Sequence, residues 1–255
     1  MAETAADLVD NILPQVPVRQ WVLSFPIPLR SLFAIHPDLL TAVLRIIHRA
    51  INSHLIQQTA VKRNEAATGA ITLIQRFGSA ANLNTHLHAL VLDGVYHITE
   101  AGPVFIETAA PSHAQLQTLL SKIINRIMKF LTQHGHLIEE DGITYLARTD
   151  SDPDNVLAPL QAASSTWRIA QGPRAGRKVL TLVGCGERSQ PHQSRDALCA
   201  NAQGFSLHAG VHCAANDRKG IEQLCRYITR PAISNERLSI NRQGDVVLKL
   251  KTPWP

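Results

Sequence analysis

The chain has 255 residues, of which 45% are hydrophobic and 18% charged, with a formal net charge of +5. That composition excludes a disordered chain and supplies enough apolar side chains for one large domain, or for a domain carrying an insertion. No apolar run reaches the roughly 18–20 residues that a membrane span needs, and Glu3, Asp7 and Asp10 stand where a secretory signal would be basic, so no membrane partner and a cytoplasmic location are expected.

Charge is unevenly distributed. Residues 1–173 carry 12 Lys and Arg against 14 Asp and Glu, whereas residues 174–255 carry 13 against 6, a local net charge of +7. A basic segment on an otherwise balanced chain is the footprint of a polyanion binder, although a solvated basic surface gives the same count. Cys185, Cys199, Cys213 and Cys225 are spaced by 14, 14 and 12 with no C-x-x-C pair, which fits free thiols better than a disulfide framework or a zinc knuckle.

In chain order, Leu8, Val9, Ile12 and Leu13 recur at helical spacing before Pro14 and Pro17, which predicts a helical arm over residues 1–17. The remainder, 18–255, is expected to be one domain. Residues 20–25, Q-W-V-L-S-F, have strand composition and are closed by Pro26 and Pro28. An amphipathic helix is expected over 39–58 and a strand over 69–76. A small, polar loop over 78–84 leads into a buried strand over 85–93, T-H-L-H-A-L-V-L-D, ending in an Asp-Gly turn.

Pro111 and Ser112 open a long helix reaching about residue 133, with Leu116, Leu119, Leu120, Ile123, Ile124, Ile127 and Phe130 on one face. Residues 100–173, including a helix over 153–171, form a candidate helical insertion. Strands are expected over 178–183 and 204–214, with an irregular loop over 187–195 between them. Asp217 can cap a basic helix over 218–230 whose inner stripe is Ile221, Leu224, Cys225 and Ile228. A closing hairpin over 237–250 turns at Gln243 and Gly244. The pattern is α+β.

His86 and His88 flank Leu87, and residues two apart on a strand share a face, so both imidazoles can reach one divalent ion while Leu87 packs on the other side. A hydrogen-bonded structural pair explains the same spacing. His134 and His136 around Gly135 look like a solvated helix end. His208 and His212, four apart on one strand, are expected to share a face without reaching one ion. Tyr227 lies in the basic helix between Arg226 and Arg230. Guanidinium charge favours a phenolate, which makes a phenol a better nucleophile, and the same charge can hold a phosphate. A packed, hydrogen-bonded tyrosine is the alternative.

Three segments carry a family resemblance: W-V-L-S-F-P at 21–26, Q-R-F-G-S-A-A-N-L-N-T-H-L-H-A-L-V-L-D-G-V at 75–95, and R-K-G-I-E-Q-L-C-R-Y-I-T-R-P at 218–231. In that order they resemble rolling-circle transposases of the insertion sequence ninety-one family, which belong to the HUH class of single-strand nucleases. The resemblance implies an HUH endonuclease core: an antiparallel sheet flanked by helices, related to the palm and RNA-recognition folds, with both His on a central strand and a nucleophilic Tyr on a nearby helix. It implies that Tyr227 attacks single-stranded DNA at mobile-element ends to give a 5′-phosphotyrosine and a free 3′-hydroxyl. It also implies that His86, His88 and Gln75 hold Mg or Mn, which polarises the scissile phosphate.

Arg76, Asn84, Arg218, Lys219, Arg226 and Arg230 are the candidate DNA contacts, with Trp21 or Phe77 as a stacking platform. Two-tyrosine members carry a second Tyr one helical turn earlier, where this chain has Gln223, so the expectation is a single-tyrosine variant that is recycled or works in a homo-oligomer. The family's cysteine-rich DNA module has no counterpart here, and K-T-P-W-P ends the chain where family members continue, which reads as a truncated form. The competing expectations are an inactive transposase remnant that only binds DNA, and an unrelated metal hydrolase built on His86 and His88.

Overall fold

The computed structural model of the chain describes residues 2–78, 83–140, 143–146, 198–230 and 235–249. The expected helix over 153–171, the strand over 178–183 and the loop over 187–195 lie outside the described residues, as does Cys185. Among the described residues no helix is long and apolar enough to cross a membrane.

The centre of the molecule is a five-stranded antiparallel sheet in the order β3 (Ala70–Phe77), β4 (Leu83–Leu92), β1 (Val18–Ser24), β10 (Phe205–Cys213) and β9 (Cys199–Ala202). The two faces divide by residue parity. Trp21, Leu23, Leu87, Ala89, Leu207 and Ala209 point to one core, beneath α2 (Ile27–Ile35), α3 (Leu39–Gln57) and α4 (His113–Gln133). Val18, Leu90, Leu92 and Cys213 point to the other, beneath the N-terminal segment and α5 (Arg218–Ile228). The class is therefore α+β, as the sequence predicts.

Local chemistry explains where these helices stop and start. Ser112 accepts from the Gln115 backbone N–H while the Gln115 side chain accepts from the Ser112 N–H, a complete capping box at the start of α4. From there Leu116, Leu119, Leu120, Ile123, Ile124, Ile127 and Leu131 enter the same core as the sheet, with Phe130 only partly buried. Asp217 caps α5 through the Gly220 N–H at 2.9 Å. The N-terminal segment, α1 (Ala2–Asp7) and one π-type turn (Leu8–Ile12), lays Ala5, Val9 and Leu13 against Ile221, Cys225 and Ile228. Three smaller sheets complete the described fold: β2 (Ala66–Ala67) with β5 (Gly94–Thr99) and β6 (Gly102–Glu107), the hairpin of β7 (Leu137–Glu140) and β8 (Ile143–Leu146), and that of β11 (Leu238–Ile240) and β12 (Val246–Leu248).

One helix goes unpredicted by the sequence, and two expectations are corrected. Residues 27–35 form α2, with Pro28 in its first turn, where a missing N–H costs nothing. Asp93-Gly94 is not a hairpin turn. It is the bend at which the chain leaves the five-stranded sheet for the three-stranded one, and a Cβ at Gly94 would overlap the Ile106 carbonyl and the Phe105 ring. His208 and His212 do not share a face. Between the pairs Gln20–Val211 and Val22–His208, β10 takes three steps to the two of β1, a bulge beside Gly210 that reverses the alternation.

Asp93 is 2% exposed and takes both Arg19 Nε at 3.0 Å and Nη2 at 2.6 Å, while Arg19 Nη1 donates to the Ala209 carbonyl at 3.0 Å. The pair joins β1, β10 and the end of β4. Removing one partner strands a buried charge, so Asp93→Asn is expected to cost about 3–5 kcal/mol in urea unfolding, far more than an exposed pair such as Arg226–Glu222.

Candidate active site

β4 carries His86 and His88 on the face shared with Leu90 and Leu92. Their ring centroids are 4.9 Å apart. The His86 Nδ1–H donates to the Asn84 carbonyl at 2.6 Å, which leaves the Nε2 lone pair free. His88 Nδ1 lies 2.8 Å from the side-chain amide of Gln20, a residue of β1 that is itself 3% exposed. With the amide nitrogen facing the ring, Gln20 donates and the His88 proton sits on Nε2. With the amide turned over, its oxygen accepts from Nδ1–H and Nε2 is free.

Both imidazoles are held neutral. Burial, followed by the neighbouring His86, lowers the His88 pKa to about 4. Burial lowers that of His86 as well; the Asn84 carbonyl opposes the shift and the Arg30 guanidinium adds to it. Neutral imidazole is the metal-ligating form.

Tyr227 reaches this place through the amphipathicity of α5. Ile221, Cys225 and Ile228 bury one side of the helix, which leaves Tyr227 60% exposed near its last turn, with its ring centroid 6.1 Å from that of His88 and nearly perpendicular to it. Gln75 of β3 is the register partner of His86 and donates through Nε2 to the Ile228 carbonyl at 3.3 Å. It ties the end of α5 to the sheet, and among the described residues no donor occupies its own oxygen.

The other sequence candidates divide by use. Asn84 acts on His86 through its backbone carbonyl. Arg76, Lys219 and Arg230 are exposed, and Arg226 is exposed in a pair with Glu222 at 2.6 Å. Arg218 donates to the Leu13 and Pro14 carbonyls at 3.3 and 3.4 Å, so it clasps the N-terminal segment rather than facing a ligand. Trp21 is corrected outright: it is 2% exposed in the core beneath α3 and offers no ring face to a base. Phe77, 44% exposed at the end of β3, retains that possibility.

Gln20 and Arg30 are site residues that the sequence reading misses. Arg30 comes with α2; its Nε donates to the Phe25 carbonyl at 2.6 Å, and its charge is felt by His86. His208 joins the same face as the register partner of Val22, whose other partner is His88. His212 instead turns to the opposite face, 3.5 Å from Asp93. Cys199, Cys213 and Cys225 are buried, and burial raises the thiol pKa of Cys213 and Cys225.

An antiparallel sheet flanked by helices, with two neutral imidazoles and an exposed tyrosine on one face, defines an α+β protein with a candidate site at the end of α5. Residues 69–254 match the family model described as "Putative transposase". The chain belongs to this transposase family, which gives it a role in DNA transposition. No curated protein and no solved structure matches it.

Because His88 ionises near pH 4 when folded against 6.5 for an unperturbed imidazole, the unfolded chain binds more protons between those values. Stability is expected to fall as pH drops from about 6.5 to about 4, and His88→Gln is expected to flatten that fall. Urea midpoints across the range, together with an NMR titration placing the His88 midpoint near pH 4, check both statements.

Proposed function

We propose that the chain is the catalytic core of an HUH-class transposase related to the insertion sequence ninety-one family, cutting and rejoining single-stranded DNA through Tyr227. The observation that supports this best is the placement of an exposed Tyr227 edge-on to His88, on the face that also carries His86 and Gln75. The position one helical turn before Tyr227 is Gln223, which is exposed, and in this reading Tyr227 acts as a single nucleophile.

The residues fit a divalent ion. His86 offers Nε2 because Asn84 occupies Nδ1, His88 offers Nε2 when Gln20 presents its oxygen, and Gln75 has an uncommitted amide oxygen beside His86. Among the described residues no group of three or more His, Cys, Asp and Glu competes for the ion. Two imidazoles and one amide oxygen suit Mn better than Mg, which prefers oxygen throughout. A metal bound there would supply Lewis-acid polarisation of the scissile phosphate.

In this reading the Tyr227 phenolate attacks phosphorus, the bond to the 3′ oxygen breaks, and the released 3′ oxygen takes up a proton. The 5′-phosphotyrosine keeps the phosphodiester bond count unchanged, so attack by another 3′-hydroxyl rejoins DNA and returns the phenol. Arg30 and Arg230 supply charge for the phosphates, and Arg226 joins them once it leaves Glu222, an exchange that is inexpensive for an exposed pair.

Labelled single-stranded DNA with Mn is expected to give a denaturant-resistant adduct with the parent chain and none with Tyr227→Phe. Salt-sensitive DNA binding without any adduct in the parent would instead support the inactive, binding-only remnant. Gln20→Leu is expected to weaken Mn binding about 10–100-fold by calorimetry, as loss of an outer-shell partner does, while Gln20→Glu restores it.

A further inference from the structure

The helical layer opposite the candidate site carries an unusual charge pattern. α3 and α4 contain no Asp or Glu, but they contain Arg45, Arg49, Lys122, Arg126 and Lys129. Between them runs a cleft of about 370 Å³, floored by Ala50 and Leu119 and walled by Ser53, His54, Lys122 and Arg126. A second hollow of about 300 Å³ continues it, shares Ser53 and Arg126, and adds Arg49 and Arg63. Among the described residues no carboxylate lines either part.

Four cations therefore share one trough. Arg49, Arg63, Lys122 and Arg126 are exposed, and none is in an ion pair among the described residues. Glu65, the one acid between residues 39 and 92, is turned to Lys62 and His97. Like charges gathered without counter-charge repel one another, and soluble surfaces ordinarily intersperse both signs. The effect is visible locally: burial and then the charge of Lys122 lower the pKa of His54.

We infer that this trough between α3 and α4 holds the sugar-phosphate backbone of duplex DNA, on the side of the sheet away from Tyr227. Cations supply phosphate contacts that carry no sequence information, and Ser53, Gln57, Gln58, Gln115 and Thr118 add neutral hydrogen-bonding groups. The duplex is favoured over an unpaired strand because, among the described residues, the lining offers no Phe, Tyr or Trp ring on which exposed bases could stack. Duplex DNA keeps its bases stacked internally and presents phosphates at twice the axial density of one strand. The inference stands whether or not Tyr227 is a nucleophile.

The test is fluorescence anisotropy of a labelled random-sequence duplex over a NaCl series, for the parent and for Arg49→Gln/Lys122→Gln/Arg126→Gln. With about 0.9 counterions released per contact, the log–log salt slope of the variant is expected to be shallower by about 2–3. Mass spectrometry of acetylated parent chain, with and without the duplex, gives a readout that needs no variant to fold: Lys122 is expected to be protected. An unchanged slope, an unprotected Lys122 or a parent chain that ignores duplex DNA would overturn the inference. Adduct formation on single strands should be equal in parent and variant, which separates this surface from the Tyr227 reading.

Discussion

The structure depends on the pleat of β4. A strand buried between two layers must satisfy a different environment at every second residue, because neighbouring side chains are bound to opposite faces. Leu87, Ala89 and Val91 meet the core beneath α3 and α4, while Leu90 and Leu92 meet the core beneath α5. His86 and His88 continue the second row to the place where α5 ends. There His88 is buried and His86 half-buried, and each imidazole has its Nδ1 occupied by a neighbour. A slip of one residue in the pairing of β4 would bury both imidazoles under α3 and turn Leu87 outward, so the apolar pattern that fixes the fold also fixes the site.

Much of this is written in local sequence. The i, i+2 spacing of His86 and His88 gives their common face, the apolar stripes give α3, α4 and α5, and Ser112 and Asp217 mark helix starts that the capping hydrogen bonds bear out. What depends on partners is not local. Gln20 reads as an ordinary strand residue until the register of β1 places it in reach of His88. Trp21 reads equally well as a stacking platform or a core residue, and only the pairing of β1 tells which face it shares with Leu23.

Some signals were present but outweighed. Pro26 and Pro28 suggest a break, yet Leu29, Leu32 and Phe33 at helical spacing behind them form the buried side of α2, and with that helix comes Arg30. Gly210 inside a strand is the mark of a bulge, and the bulge separates His208 from His212. Summed charge conceals segregation in the same way. Residues 1–173 hold slightly more acid than base, but the acids are absent from α3 and α4, so a balanced segment folds into a one-signed trough.

The tyrosine helix is fastened at both ends and greased in the middle. Arg218 at its start grips the Leu13 and Pro14 carbonyls, Gln75 grips the Ile228 carbonyl at its finish, and between them Ile221 and Cys225 lie on apolar surface that sets no register of its own. Two anchors at fixed separation make the helix a measuring rod. One residue more or fewer between Arg218 and Tyr227 alters its length by about 1.5 Å and swings the phenol by about 100° around the axis, away from His88. The aim of the tyrosine therefore resides in the number of residues in α5 as much as in their identity.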